Sequence, residues 1–292
     1  MKEKEMSGRR IRKILPLVIK YLFLIVVLIF VLVPILYTIL SSFKTNAEIM
    51  AHPENFFPKE PTLENYKVAF SGKDFNIPRM FWNSVVYTFF CVLFTVTTST
   101  MAGYVFARGG NFLGSKTLFA VFSSMMFINM GMITIYPLFQ ILGVLNLASS
   151  IWGLIVVRFF GVGIINIYLV RSFIRSIPYE LDEAAEMDGC SFFGIFFRII
   201  GPLLKPVIAT ISILAFNGSW NEYLMPTLFT LSNKQQRPLI VGIMSLKNSG
   251  QAASNWNLML AGATVAMIPI LIVYAIANKY FVEGLTAGAL KG

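Results

Sequence analysis

The sequence predicts an all-α membrane protein of six transmembrane helices, and three observations carry that prediction. Six apolar segments, residues 21–43, 82–106, 117–142, 151–173, 207–231 and 258–280, each approach the ~20 residues that cross ~30 Å of hydrocarbon at 1.5 Å per residue. Of the 292 residues, 56% are hydrophobic and 13% charged, against roughly 45–50% and about 25% in soluble domains. The net charge of +10 lies between the apolar runs instead of forming a basic, aromatic-studded groove, so it speaks for membrane topology and against nucleic acid.

In chain order, Lys2, Lys4, Arg9, Arg10, Arg12 and Lys13 precede the first apolar run, as in a secretory signal. That run is too long for a signal and ends without a small-residue cleavage site, which makes it a retained first span. Residues 117–157 contain no Asp, Glu, Lys or Arg, yet one helix of that length would be about twice too long for a bilayer. The chain is expected to reverse there, with turn chemistry from Gly143, Asn146, Ser149 and Ser150. Six spans put both termini on one side. Fifteen Lys and Arg lie on that side and eight on the other, so positive-inside places both termini in the cytoplasm.

The expected organisation is then a cytoplasmic N-terminus (1–20), a six-helix transmembrane domain (21–280) that includes a cytoplasmic loop at 174–205, and a cytoplasmic tail (281–292). Residues 44–81, with Pro53, Pro58, Pro61 and Pro78, read as an ordered external cap. Residues 232–257 form a second external segment that ends in a small polar stretch from Asn248 to Asn257. Pro137, Pro226 and Pro269 are placed to kink spans three, five and six.

Some chemistries are excluded. Cys91, Cys190 and the single His52 cannot build a disulfide framework or a metal site. Gly109 and Gly114 have the gap of a phosphate-binding loop with Lys116 and Thr117 beyond. Ser115 is inserted before the lysine, however, and no strand precedes the loop, so an ordinary turn is the better reading. No cofactor bound by this chain is expected.

The loop at 174–205 is far longer than a helix hairpin needs, and such loops are usually functional. Pro178 suits a helix start, while Glu180, Asp182 and Glu183 sit where the positive helix end favours acids. Gly189 ends that helix as a C-cap. Leu181, Ala184, Ala185 and Asp188 fall at three-and-four spacing, which predicts one low-profile face containing both alanines. Ser191 can cap a second helix through Phe192, Phe193, Phe196 and Phe197, stopped at Gly201 and Pro202.

Glu183, Ala184 and Ala185, with Gly189 four residues later and Ile199 and Pro202 beyond, resemble the EAA motif of ABC importer permeases; Gly201 stands where that motif usually has Leu. Asn83-Ser84, Trp220-Asn221-Glu222 and the tail from Glu283 to Gly288, followed by Lys291-Gly292, are similar to the shorter permease of maltose-type carbohydrate importers. The resemblance implies a type I ABC importer permease fold in a bacterial plasma membrane, without enzymatic activity of its own. It also implies three kinds of partner: a second, different permease, a pair of ATPase subunits that bind ATP-Mg, and an extracellular or periplasmic sugar-binding protein. Glu183, Ala184, Ala185, Asp188, Gly189, Ile199 and Pro202 would couple to the ATPase. The 248–257 stretch would enter the binding protein's cleft, and the tail would touch the ATPase pair.

Only Arg158 and Glu222 are charged well inside the expected spans, and 1.5 Å per residue puts each roughly 10–14 Å below one surface. At that depth a lone charge costs several kcal/mol, so each needs a partner or a water-filled cavity. Two readings stay open: an ion pair joining spans four and five, or a passage lined by Glu222 and Asn221 that binds hydroxyl groups. Two functional alternatives also stay open. One is an ABC permease for a non-sugar solute; the other is a stand-alone secondary transporter, which would show discontinuous helices or an intramembrane acid relay.

Overall fold

The computed structural model describes residues 2–109, 114–127, 131–161, 163–248 and 255–289. All regular structure among the described residues is helical, in two compact units, residues 1–71 with 245–265 and residues 72–244 with 266–292.

The smaller unit begins with α1 (Lys2–Ser41), which takes the residues expected as a separate N-terminus into the same helix as the first span. Residues 15–34 of its apolar stretch are all exposed, and packing within the chain begins only near its end, where Tyr37 Oη donates to Pro53 O at 2.7 Å and its ring meets Phe56. α2 (Asn46–Ala51) and α3 (Glu64–Ser71) follow. The stretch around them is ordered by polar contacts. Thr62 N donates to Phe43 O at 2.8 Å, and Asn65 Nδ2 donates to the carbonyls of Ser42 and Lys44 at 2.7 and 2.8 Å. Asn257 Nδ2 closes on Asn65 Oδ1 at 2.7 Å. Lys44 is 0% exposed, donates to Asn55 O and lies over the Tyr37 ring. A buried ammonium needs such partners to offset its lost hydration.

The larger unit is built on α4 (Ile77–Arg108), capped by Asn76 Oδ1, which accepts from Arg79 N at 3.0 Å. α5 (Ser115–Met125) and α6 (Ile135–Val144) occupy the third apolar segment. The chain reverses through Asn146, whose φ of 56° is left-handed, and Ser150 caps α7 (Ile151–Phe160). α8 (Ile164–Arg175), α9 (Glu180–Met187) and α10 (Phe192–Ile195) come next, and a π-helical stretch, Phe196–Ile200, leads to α11 (Gly201–Leu203). α12 (Lys205–Trp220) and α13 (Leu224–Phe229) fill the fifth segment. α14 (Leu239–Asn248) and α15 (Trp256–Ala289) complete the chain.

Three expectations change. Among the described residues, only α1, α4 and α15 are uninterrupted and apolar enough to span a bilayer. The third segment is divided between α5 and α6, the fourth bends by 41° between α7 and α8, and the fifth breaks at Asn221–Tyr223 between α12 and α13. Second, Gly201 and Pro202 do not stop the second loop helix. A π-turn absorbs the proline, which has no N–H to give, and the chain turns by 78° only at Leu204. Third, the expected tail is not a separate segment: α15 runs on to Ala289. The stretch 249–254, expected to meet a binding protein, and the terminal Lys291 and Gly292 lie outside the described residues, as do residues 110–113 of the glycine-spaced turn.

Two cores hold the larger unit. In one, Tyr104 packs with Val170, Ile174, Ala185, Ile200 and Ile211, joining α4, α8, α9 and α12; in the other, Tyr87 and Cys91 pack with Leu142, Leu154 and Phe229. The first depends on Gly103. A Cβ there would stand 2.6 Å from Val170 Cγ1 and 3.3 Å from Arg171 N. A β-branched valine backed by main chain cannot yield cheaply. We therefore expect Gly103→Ala to lose about 1–3 kcal/mol, read as a lowered thermal midpoint of the purified protein, while Gly218→Ala, which meets nothing within 4 Å in the α12 helix, holds or slightly raises the midpoint.

Candidate functional site

Two constellations concentrate the chemistry. The first is the hairpin of α9 and α10. Glu180, Asp182 and Glu183 occupy the first turn of α9, where the unpaired N–H groups favour negative charge. The helix closes with two wrap-around hydrogen bonds, Gly189 N to Glu186 O and Cys190 N to Ala185 O, both 2.9 Å, around a Gly189 φ of 80°. That pattern needs a residue without Cβ strain, which glycine supplies. Ser191 Oγ then accepts from Gly194 N at 3.2 Å and starts α10.

The two alanines do not share a face. Asp182 and Ala185 are each 3% exposed and turn into the chain's own core. Leu181, Glu183, Ala184, Met187 and Asp188 face outward, Met187 being 89% exposed. Ile199 packs on the first core, and Pro202 lies exposed beside Gly201. The glycine in place of leucine has a local reason: its N–H bonds to Phe196 O, and a Cβ would stand 2.9 Å from that oxygen.

What turns α9 inward was missed from sequence. Arg108, the last residue of α4, has Nε 3.1 Å from Asp182 Oδ2, a close ion pair without a directed hydrogen bond between those two atoms. Its Nη2 donates to Ile177 O at 2.7 Å, and the guanidinium lies over the Tyr179 ring. Burial pushes the Asp182 carboxyl above its usual range, with the Arg108 charge opposing that shift. One turn earlier, Tyr104 Oη donates to Phe192 O at 3.0 Å and its ring packs on Phe192 and Phe196.

The second constellation sits at the break between α12 and α13. Glu222 Oε2 receives Arg158 Nη2 at 2.7 Å and Tyr87 Oη at 2.6 Å, joining α7, α4 and the break. Glu222 is 19% and Arg158 44% exposed at the side chain. Asn221 is not in this cluster: its Nδ2 turns back to Asn217 O and Oδ1, both 3.0 Å, on an exposed part of α12. Tyr87 had no sequence signal, being one more aromatic in an apolar run. Nearby, Asn83 Nδ2 donates to the carbonyls of Gln235 and Arg237, and Ser84 Oγ accepts from Leu239 N, so that pair latches the segment after α13 to α4. Gln236 Oε1 in turn accepts from Ser150 Oγ and Ile151 N at the start of α7.

Long apolar helices, helix breaks inside apolar segments and a partnered charge at one of them are the architecture of a membrane transport subunit. A family model for the inner membrane component of binding-protein-dependent transport systems matches residues 99–286, and the chain belongs to that family. It is 33% identical to the arabinooligosaccharides transport system permease protein AraQ of Bacillus subtilis (strain 168), over 89% of this chain and 90% of that one. It is 32% identical to the galactooligosaccharides transport system permease protein GanQ of the same organism, over 98% and 100%. A solved bacterial ABC transporter involved in import of the acidic polysaccharide alginate has the same fold, with a TM-score of 0.77 at 24% identity, covering 90% of this chain and 95% of that one. Helix breaks, which the sequence reading reserved for a stand-alone carrier, thus occur in a binding-protein-dependent permease and do not separate the two classes.

The ion pair makes a direct prediction. Arg158→Glu or Glu222→Arg alone sets like charges together at a site of low polarity and should cut uptake by on the order of tenfold or more. The double exchange should recover most of it. Equal loss in all three variants would show that the two side chains act separately.

Proposed function

We propose that this chain forms half of the translocation pore of an ATP-driven importer for a sugar or oligosaccharide, delivered by an external binding protein. Hydrolysis of ATP-Mg belongs to a separate pair of ATPase subunits, and a second, different permease completes the pore. Both termini and the α9–α10 hairpin lie on the cytoplasmic side in this reading, in keeping with the distribution of Lys and Arg.

The observation that carries the coupling role is the two-sided character of α9. One side is anchored through Asp182 and Ala185, and the other presents Glu183, Ala184, Met187 and Asp188 outward. A short, rigid, acid-edged ridge of low profile is suited to a groove in a partner protein. The carbohydrate assignment is supported by the relatives that carry arabinooligosaccharide and galactooligosaccharide transport in their names. Glu222 and Arg158 partner each other, which favours a structural joint at the break; Asn217 and Asn221 remain exposed to contact a passing hydroxyl group.

Two measurements test this. Ala184→Trp should leave the chain in the membrane but abolish uptake by blocking the outward ridge, and Gly189→Pro, which cannot adopt a φ of 80°, should do the same. A bulky residue at 185 should instead unseat α9 from its own core at about 1–3 kcal/mol. Normal uptake in Ala184→Trp would remove the coupling role. For the substrate, the partner binding protein should be stabilised by a member of a sugar panel in a thermal-shift screen; stabilisation by phosphate or amino acids alone would overturn the carbohydrate assignment.

A further inference from the structure

Tyr104 and Arg108 are four residues apart and therefore on one face of the last turns of α4. Each holds a different arm of the hairpin. Arg108 fixes the approach to α9 through Ile177 O and the first turn through Asp182, while Tyr104 fixes α10 through Phe192 O and two ring contacts. α8, which leads into the hairpin, is tied to the same region: Arg171 Nε donates to Phe106 O at 3.1 Å. Between these anchors and Tyr87, α4 runs without a break, a rise of ~25 Å over about seventeen residues. Tyr87 then bonds Glu222 at the break between α12 and α13. One uninterrupted helix thus touches the hairpin at one place and the charged break at another.

We propose that Arg108 and Tyr104 are positioning residues that clamp the α9–α10 hairpin to α4, so that displacement of the hairpin is delivered along α4 to the Tyr87–Glu222–Arg158 cluster. This rests on the reading of α9 as the ATPase-docking ridge. The clamp makes hairpin and helix one body; without it the hairpin is held to the spans by its chain connections and by apolar contact, which permit sliding. Arg108 suits the task because one extended, planar guanidinium donates to the Ile177 carbonyl while its charge lies against the Asp182 carboxylate, a span that a compact lysine ammonium covers less well.

The test uses the assembled transporter in proteoliposomes, with its second permease, ATPase pair and binding protein, and reads uptake per ATP hydrolysed at equal assembled amounts. Arg108→Ala should keep hydrolysis and lower that ratio by on the order of fivefold or more, the scale of coupling changes at sites remote from ligand. Arg108→Lys should recover part of the loss, and Tyr104→Phe, which keeps the ring packing, should lower the ratio by about twofold. A ratio unchanged in Arg108→Ala overturns the proposal. If that variant does not assemble, Arg108→Lys and Tyr104→Phe decide: a lowered ratio in both supports the clamp, and a wild-type ratio in both overturns it. Cross-linking from Ala184→Cys to the ATPase separates the two levels. A cross-link together with a normal ratio in the Arg108 variants sinks the clamp alone, whereas no cross-link in otherwise wild-type chains sinks the docking reading and the clamp with it.

Discussion

Close packing of α4 against α8 and α12 is the interaction on which the larger unit depends. In a bilayer, helices gain little from the hydrophobic effect and associate through van der Waals fit and a few hydrogen bonds, so a small residue at the crossing matters more than in water. Gly103 is that residue, with Val170 filling the space its missing side chain leaves. The crossing places Tyr104 beside Val207 and Ile211 of α12 and beside Ile174 of α8. It also fixes where two polar side chains of α4 fall, Arg108 at the end of the helix under the hairpin and Tyr87 at the break between α12 and α13.

The break itself obeys the rule that backbone polar groups in an apolar setting must be paired. Asn221 N and Glu222 N both donate to carbonyls of the last turn of α12, and Thr227 N donates to Tyr223 O as α13 begins. The remaining cost is the Glu222 charge, which Arg158 and Tyr87 meet from two other helices. A carboxylate held this way joins α4, α7 and the break at a single oxygen atom, a joint with orientation as well as strength.

Much of this could be read from the residues because the signals were local. Apolar segment length and the scarcity of charge mark the membrane helices, and Gly189 marks the end of α9 because few other residues tolerate its φ. Other features were not legible because they depend on distant partners. Segments four and five carry Gly161 and Gly163 and Asn221-Glu222 at their breaks, but each is apolar on both sides and long enough for one span, so length and composition read through those marks. Spacing put Ala184 and Ala185 on one face, since a helix face is a broad sector; which of them turns inward is decided by Arg108, a partner distant in the sequence that pairs with Asp182. Gly201 stands out as a departure from the resembled motif, yet the π-turn makes a side chain there the disruptive choice.

One feature bears on how the protein is made. α1 is exposed throughout residues 15–34, so the placement of that stretch in the membrane does not wait on anything synthesised later. A first helix of this kind can partition from the translocation machinery into lipid by itself, as the two-stage view of membrane folding requires, and anchor the ribosome-bound remainder. The interrupted segments that follow, individually less able to insert than α4 or α15, then enter a bilayer where their chain is already tethered. The cost falls on unassembled copies, whose bare first helix has only lipid or a stray neighbour to pack against, which makes such copies natural targets for membrane quality control.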